Sequence, residues 1–155
     1  MDFQISALDV DQFQQFFGLD GETLHSLGVR RMVADMKPGY PCRVSLRDAG
    51  IGENVLLMNY EHQAAPTPYR SRHGIFVREW ARQATPERNE IPDMLRHRLL
   101  SVRAFDASGM MIDADIGDGP YLETLILRML ASSSVDYLHI HNAKPGCYAA
   151  SVKRA

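Results

Sequence analysis

Asn54-Val55-Leu56-Leu57-Met58-Asn59-Tyr60 and His73-Gly74-Ile75-Phe76-Val77-Arg78-Glu79 are the two runs whose reading decides the fold. Both are short and rich in aliphatic and aromatic residues. The first is apolar on both faces, as a central strand is, and a Pro-rich connection through Pro66, Pro68 and Tyr69 leads to the second. So short a connection returns the chain antiparallel to itself. The expected register sets Met58 opposite Val77, Tyr60 opposite Ile75 and His62 opposite His73.

Downstream, Leu99 to Phe105 and Met110 to Ile116 predict a second hairpin around Asp106-Ala107-Ser108-Gly109, whose symmetric register faces Arg103 with Asp113 and Ser101 with Asp115. A helix follows over about Pro120 to Ser132, with Tyr121, Leu125, Leu127 and Leu130 as its apolar surface. The strand Val135 to His141 then turns through Lys144-Pro145-Gly146 into the closing segment Cys147 to Val152. Upstream, Phe3 to Ser6 alternates like a strand. Asp9 or Asp11 offers an N-cap to a helix carrying Val10, Phe13, Phe16 and Phe17, which Gly18 ends. Asp20 and Glu22 start a second helix through Leu24 and Leu27, closed by Gly28, before a strand over Val29 to Ala34. Lys37-Pro38-Gly39 suits a type II turn, which predicts a hairpin into a strand Cys42-Arg43-Val44-Ser45-Leu46. The tally is an α+β fold, a mainly antiparallel sheet of six to eight strands with three or four helices packed on it. No βαβ alternation is present.

At 155 residues the chain has the length of one domain, read as residues 1–155. With 45% hydrophobic and 23% charged residues it is an ordinary globular composition. No apolar run reaches the ~20 residues of a membrane span, and the start Met1-Asp2-Phe3-Gln4-Ile5 does not read as a signal peptide, so a cytoplasmic protein without a membrane partner is expected. The two cysteines, Cys42 and Cys147, are expected as reduced thiols. A net charge of −2 and scattered basic residues argue against nucleic acid as a partner. Of the 17 basic residues 14 are arginine, the side chain suited to bidentate contacts with anions.

The common catalytic and cofactor motifs are absent: no P-loop, no glycine-rich dinucleotide turn, no G-x-S-x-G, no H-E-x-x-H and no C-x-x-C. Three constellations remain. His139 and His141 stand two apart on a strand, hence on one face with Cα atoms ~6.6 Å apart, a spacing at which two imidazoles share a metal ion, while histidines at a sheet edge or donating to a backbone carbonyl are the structural alternative. His62, His73, Glu61, Cys42 and Cys147 are the candidates for further ligands, and a divalent metal such as zinc is the implied cofactor. In the second constellation, Cys42 and Cys147 each follow a Lys-Pro-Gly turn. With the two turns as neighbours the sulfurs approach each other, or one is activated as a nucleophile by a nearby histidine or arginine, while burial as small core residues is the structural alternative. In the third, Arg43, Ser45 and Arg47 alternate along one strand face and Arg70, Arg72 and Arg78 flank Tyr60-Glu61-His62, an array suited to a carboxylate or phosphate or to a solvated face of ion pairs.

Lys37-Pro38-Gly39-Tyr40-Pro41-Cys42-Arg43-Val44-Ser45-Leu46-Arg47-Asp48-Ala49, Asn59-Tyr60-Glu61-His62, His73 to Glu79, and His139-Ile140-His141-Asn142-Ala143-Lys144 with Gly146-Cys147-Tyr148 resemble a bacterial family catalogued as domain of unknown function 1203. The likeness covers essentially the whole chain. It implies a bacterial, cytosolic, single-domain protein and transfers no activity, cofactor or catalytic residue. The functional expectation therefore rests on the residues themselves: a small enzyme or metal-binding protein with Cys42, His62, His73 and Cys147 as catalytic groups, Arg43, Glu61, Arg72 and Asn142 as ligand-binding groups, and His139 and His141 as metal ligands. The alternative is a non-enzymatic module binding a small anionic ligand or a protein partner.

Overall fold

A computed structural model describes residues 1–155. Eight strands form two antiparallel sheets, and three short helices lie against them. The strands are β1 (Phe3–Ser6), β2 (Arg30–Val33), β3 (Asn54–Gln63), β4 (Ser71–Arg78), β5 (Leu99–Phe105), β6 (Met111–Asp118), β7 (Tyr137–Asn142) and β8 (Tyr148–Arg154). The helices are α1 (Gly21–Ser26), α2 (Asp93–Arg96) and α3 (Leu122–Leu130). The larger sheet has the order β1-β8-β7-β5-β6 and the smaller the order β2-β3-β4.

Each sheet owns a core. Leu122, Leu125, Ile126, Met129 and Leu130 recur at helical spacing along α3 and press on the larger sheet, where Leu100, Val102, Leu138, Ile140 and Val152 are fully buried. The smaller sheet turns Leu56, Met58, Ile75 and Val77 onto Phe13, Leu24 and Val29, and Tyr148 of β8 joins this second cluster. Tyr148 therefore ties the two sheets together.

The N-terminal segment is less helical than its pattern predicts. Asp9 does cap, accepting from the Asp11 amide, but Val10–Gln12 and Gln14–Phe16 are separate 3₁₀ turns, and Gly18 at φ +76° ends the second. Asp20 caps α1 as expected, through the Thr23 amide.

Two registers differ from the alternation reading. In the β3/β4 hairpin Met58 faces Ile75 and Tyr60 faces His73, two residues from the expected pairing, and a bulge between Tyr60 and Gln63 takes His62 off the ladder. A slip of two keeps every apolar side chain on its face, so hydrophobic pattern cannot tell the registers apart. In the β5/β6 hairpin Phe105 faces Met111 as the symmetric register requires. A bulge then shifts the rest by one, so that Arg103 faces Ala114 and Ser101 faces Ile116. Asp113 and Asp115 pair instead with Arg128 of α3.

The larger correction concerns residues 40–49. No strand forms over Cys42–Leu46, and β2 pairs with β3 rather than with this segment. The chain folds back on itself: the Ala49 amide donates to Tyr40 O, the Cys42 amide to Arg47 O and the Leu46 amide to Cys42 O, with Leu46 at φ +52°. Lys37-Pro38 is a cis peptide, not the trans bond of a type II turn. Cys42 to Leu46 are all buried, because the loop is wedged between the two sheets: the Arg43 amide donates to Phe76 O of β4, and Leu8 and Ala84 donate to its carbonyls. The Arg43, Ser45, Arg47 stripe is therefore not a strand face. No helix is long and apolar enough to cross a membrane.

Candidate functional site

The buried loop delivers Arg43 to the site. Its side chain is 1% exposed and has no carboxylate partner. Nε donates to Tyr148 O at 2.7 Å, Nη1 donates to Pro41 O, and Nη2 donates to Cys147 Sγ at 2.8 Å. Burial pushes the Arg43 pKa down, and the neighbouring Cys147 and Cys42 work against that fall.

Cys147 reaches this guanidinium because of the turn before it. Gly146, at φ +78°, donates its amide to Asn142 O, and the Asn142 amide donates to Cys147 O, so the loop Ala143–Gly146 closes the β7/β8 hairpin. Here the Lys-Pro-Gly string does join two strands. The Asn142 side chain also donates to Cys147 Sγ at 3.5 Å, while its Oδ1 is buried with no hydrogen-bond partner.

These groups line a cavity of about 550 Å³ whose rim carries Pro38 and Gly39 from one Lys-Pro-Gly string and Lys144 and Pro145 from the other. Arg43, Asn142 and Cys147 line it together with His73, His97 and Arg98, and no Asp or Glu does. The Arg98 charge is met outside the cavity by a two-pronged ion pair with Asp48. Arg43 and Lys144 are thus the cations in the wall without an acidic partner. A larger cleft of about 1210 Å³ adjoins it at Pro38 and His97 and runs against Trp80 and Pro86, but its charged lining has both signs and includes the paired Arg78 and Glu53. Of the residues singled out from the sequence, Ser45, Arg47 and Arg78 border it.

The sequence candidates divide into separate groups. Arg43, Asn142, Cys147 and His73 share the cavity. His62, His139 and His141 gather on the other face of β7, around the Tyr148 ring, with ring centres 4.9 Å apart for His62 and His141 and 6.3 Å apart for each of the other two pairs. His73 stands apart from them, exposed, with Nδ1 on Gly74 O at 3.1 Å. Cys42 is fully buried and does not line the cavity. Its sulfur accepts from the Ser45 and Arg78 amides at 3.3 and 3.2 Å, which is structural work in the loop. Glu61 and Arg72 do not reach the cavity either: Glu61 accepts from Arg70 at 2.7 Å and from Arg72 at 3.4 Å, and Arg72 Nε donates to Asn59.

Burial holds His139 down to about 4 and His141 to about 3, with Arg103 adding to the effect on both, so both rings are neutral at pH 7. Sequence reasoning missed Arg103, Ser101 and Tyr148 beside these rings, and Lys144, His97 and Arg98 in the cavity. For Lys144 the signal was available in the repeated Lys-Pro-Gly string. For Arg103 it was hidden by the register that set Asp113 opposite it.

Residues 39–154 match the family model described as Protein of unknown function (DUF1203). That span is more than half of the chain, and the chain belongs to this family. No curated protein and no solved structure matches it.

Proposed function

We propose that the chain binds a small organic or inorganic oxyanion, carboxylate or phosphate, in the cavity between the two Lys-Pro-Gly strings. The observation that carries this reading is Arg43, a buried guanidinium without a carboxylate, in a cavity wall that contains no acidic residue. Burying a cation is costly unless an opposite charge or a full set of hydrogen bonds compensates it. Two backbone carbonyls and a sulfur supply hydrogen bonds, and the compensating charge is the ligand's. Lys144 at the rim adds a second, exposed charge, and the Asn142 amide supplies neutral polarity for orientation.

A second reading makes the same cavity an active site. Cys147 Sγ borders it and accepts from both Arg43 and Asn142, the placement of a sulfur nucleophile held for a bound anionic substrate. Titration calorimetry with inorganic phosphate, sulfate and a series of mono- and dicarboxylates tests the first reading. One probe should bind at one site per chain, Lys144→Ala should weaken it about tenfold, and Lys153→Ala, away from the cavity, should not. Absence of heat with every probe sinks the proposal. Protection of Cys147 from iodoacetamide by the bound probe supports the second reading, and modification at an unchanged rate counts against it.

A further inference from the structure

Beyond the cavity, on the opposite face of β7, we propose that His62, His139 and His141 hold one divalent transition-metal ion of the zinc class, with an anionic fourth ligand lying toward Arg103. Adjacent strand residues point to opposite faces, so the His141 ring and the Asn142 side chain belong to different sites although their backbones are consecutive.

Four observations converge. His139 and His141 share a face of β7, and the β3 bulge brings His62 over them, to 4.9 Å from the His141 ring centre. Each ring has a buried nitrogen with no hydrogen-bond partner: Nδ1 of His62, Nδ1 of His139 and Nε2 of His141. His139 and His141 are 7% and 1% exposed, so water does not freely satisfy those atoms. Finally, His141 Nδ1 lies 3.1 Å from Gly146 O, which fixes the proton on Nδ1 and leaves Nε2 as a bare lone pair. A ring nitrogen donating to a carbonyl while its partner nitrogen faces inward is the usual arrangement of a metal-bound imidazole.

Two imidazoles on one zinc ion at ~2.1 Å stand with ring centres about 5 Å apart. The His62–His141 pair is there already at 4.9 Å. The two 6.3 Å separations that involve His139 have to shorten by about 1 Å, within reach of a side-chain rotation. Without that closure no three His, Cys, Asp or Glu side chains are placed to hold an ion together. Arg103 decides the fourth position. It stands directly opposite His139, makes no ion pair, and its only side-chain hydrogen bond runs from Nε to Ser101 Oγ at 3.4 Å. A cation beside an unpaired guanidinium is favourable only with an anion between them, so hydroxide or an oxyanion completes the site.

The test is titration of the full chain with Co²⁺, followed by absorption and by metal analysis. One ion per chain is expected, with the visible bands of a tetrahedral nitrogen and oxygen site and no sulfur-to-cobalt charge transfer. His62→Ala and His141→Gln should each weaken uptake tenfold or more, whereas Cys147→Ser and Arg43→Lys should leave it unchanged. That last pair separates this site from the anion cavity, whose failure or success does not bear on it. The proposal is overturned by no stoichiometric uptake at micromolar Co²⁺, by a sulfur charge-transfer band, or by full affinity in His62→Ala, the half-buried position whose loss the sheet tolerates best.

Discussion

Arg43 is bound to three acceptors that lie in different directions, and that geometry needs a fork. A lysine at this position keeps the charge, but its ammonium donates from one point and cannot reach Pro41 O, Tyr148 O and Cys147 Sγ together. At least one buried carbonyl is left unpaired, at about 1–3 kcal/mol. Arg43→Lys should therefore lower the urea midpoint by that equivalent with the slope unchanged, and a wild-type midpoint would show that the guanidinium does not hold the 40–49 loop to β8. At this scale the sequence was informative where one strand supplied the pair: the spacing of His139 and His141 alone put both rings on one face. It was silent on their burial, which is nearly complete. The arrival of His62 depends on a bulge, and a bulge leaves no trace in a period-2 pattern.

Most elements were legible from turn residues and alternation, because strands bounded by Pro, Gly and Asp announce their own ends. The exception is Cys42–Leu46, where Arg-Val-Ser-Leu imitates a half-buried strand while the real segment is buried on every side. Tertiary wedging between two sheets, not local propensity, sets that conformation. The joints between elements were equally hidden. Glu79, just past β4, accepts from Arg31 of β2 at 3.1 and 2.7 Å and from the Gly18 amide at 3.0 Å, pinning the N-terminal turns to the smaller sheet. The Arg31 hydrogen bonds hold the Glu79 carboxyl below its ordinary 4.5, against a smaller desolvation effect. A carboxylate depressed in the folded state contributes stability that is complete above its unfolded value and lost as pH falls through the folded one. Glu79→Gln should thus cost about 1–3 kcal/mol at pH 7, and the gap to wild type should close as pH drops below 4.5. Denaturation curves at pH 7 and in acid measure it; a gap that persists undiminished in acid would assign the loss to packing instead.

At the scale of the whole molecule, the pairing of β1 with β8 and of β5 with β7 joins segments far apart in sequence, and no local pattern encodes which hairpin lies beside which. Charge is easier to foresee, and the structure shows where it goes. Eight of the 14 arginines, at positions 31, 70, 72, 78, 88, 96, 98 and 128, form ion pairs with Asp or Glu. Arg154 spends its guanidinium on the carbonyls of Leu130, Ser132 and Val135, and Arg43 is buried. Six exposed cations without an acidic partner remain, Arg30, Lys37, Arg47, Arg82, Lys144 and Lys153, on a chain whose net charge is −2. Nucleic-acid affinity grows with the number of phosphates neutralised along a continuous track, and the three of these cations that line the larger cleft, Lys37, Arg47 and Arg82, share it with Asp48, Glu53, Glu79, Glu90 and Asp93. The cationic cavity, at about 550 Å³, admits a small ligand and not a duplex. An electrophoretic mobility shift at ~0.15 M salt should accordingly show no submicromolar binding to single- or double-stranded DNA or RNA, and the small anion that titration calorimetry finds in the cavity should bind as well with polymer present as without. Tight binding that weakens steeply with salt would make the anion of the Arg43 cavity part of a polymer backbone, and the small-ligand reading would fall with it.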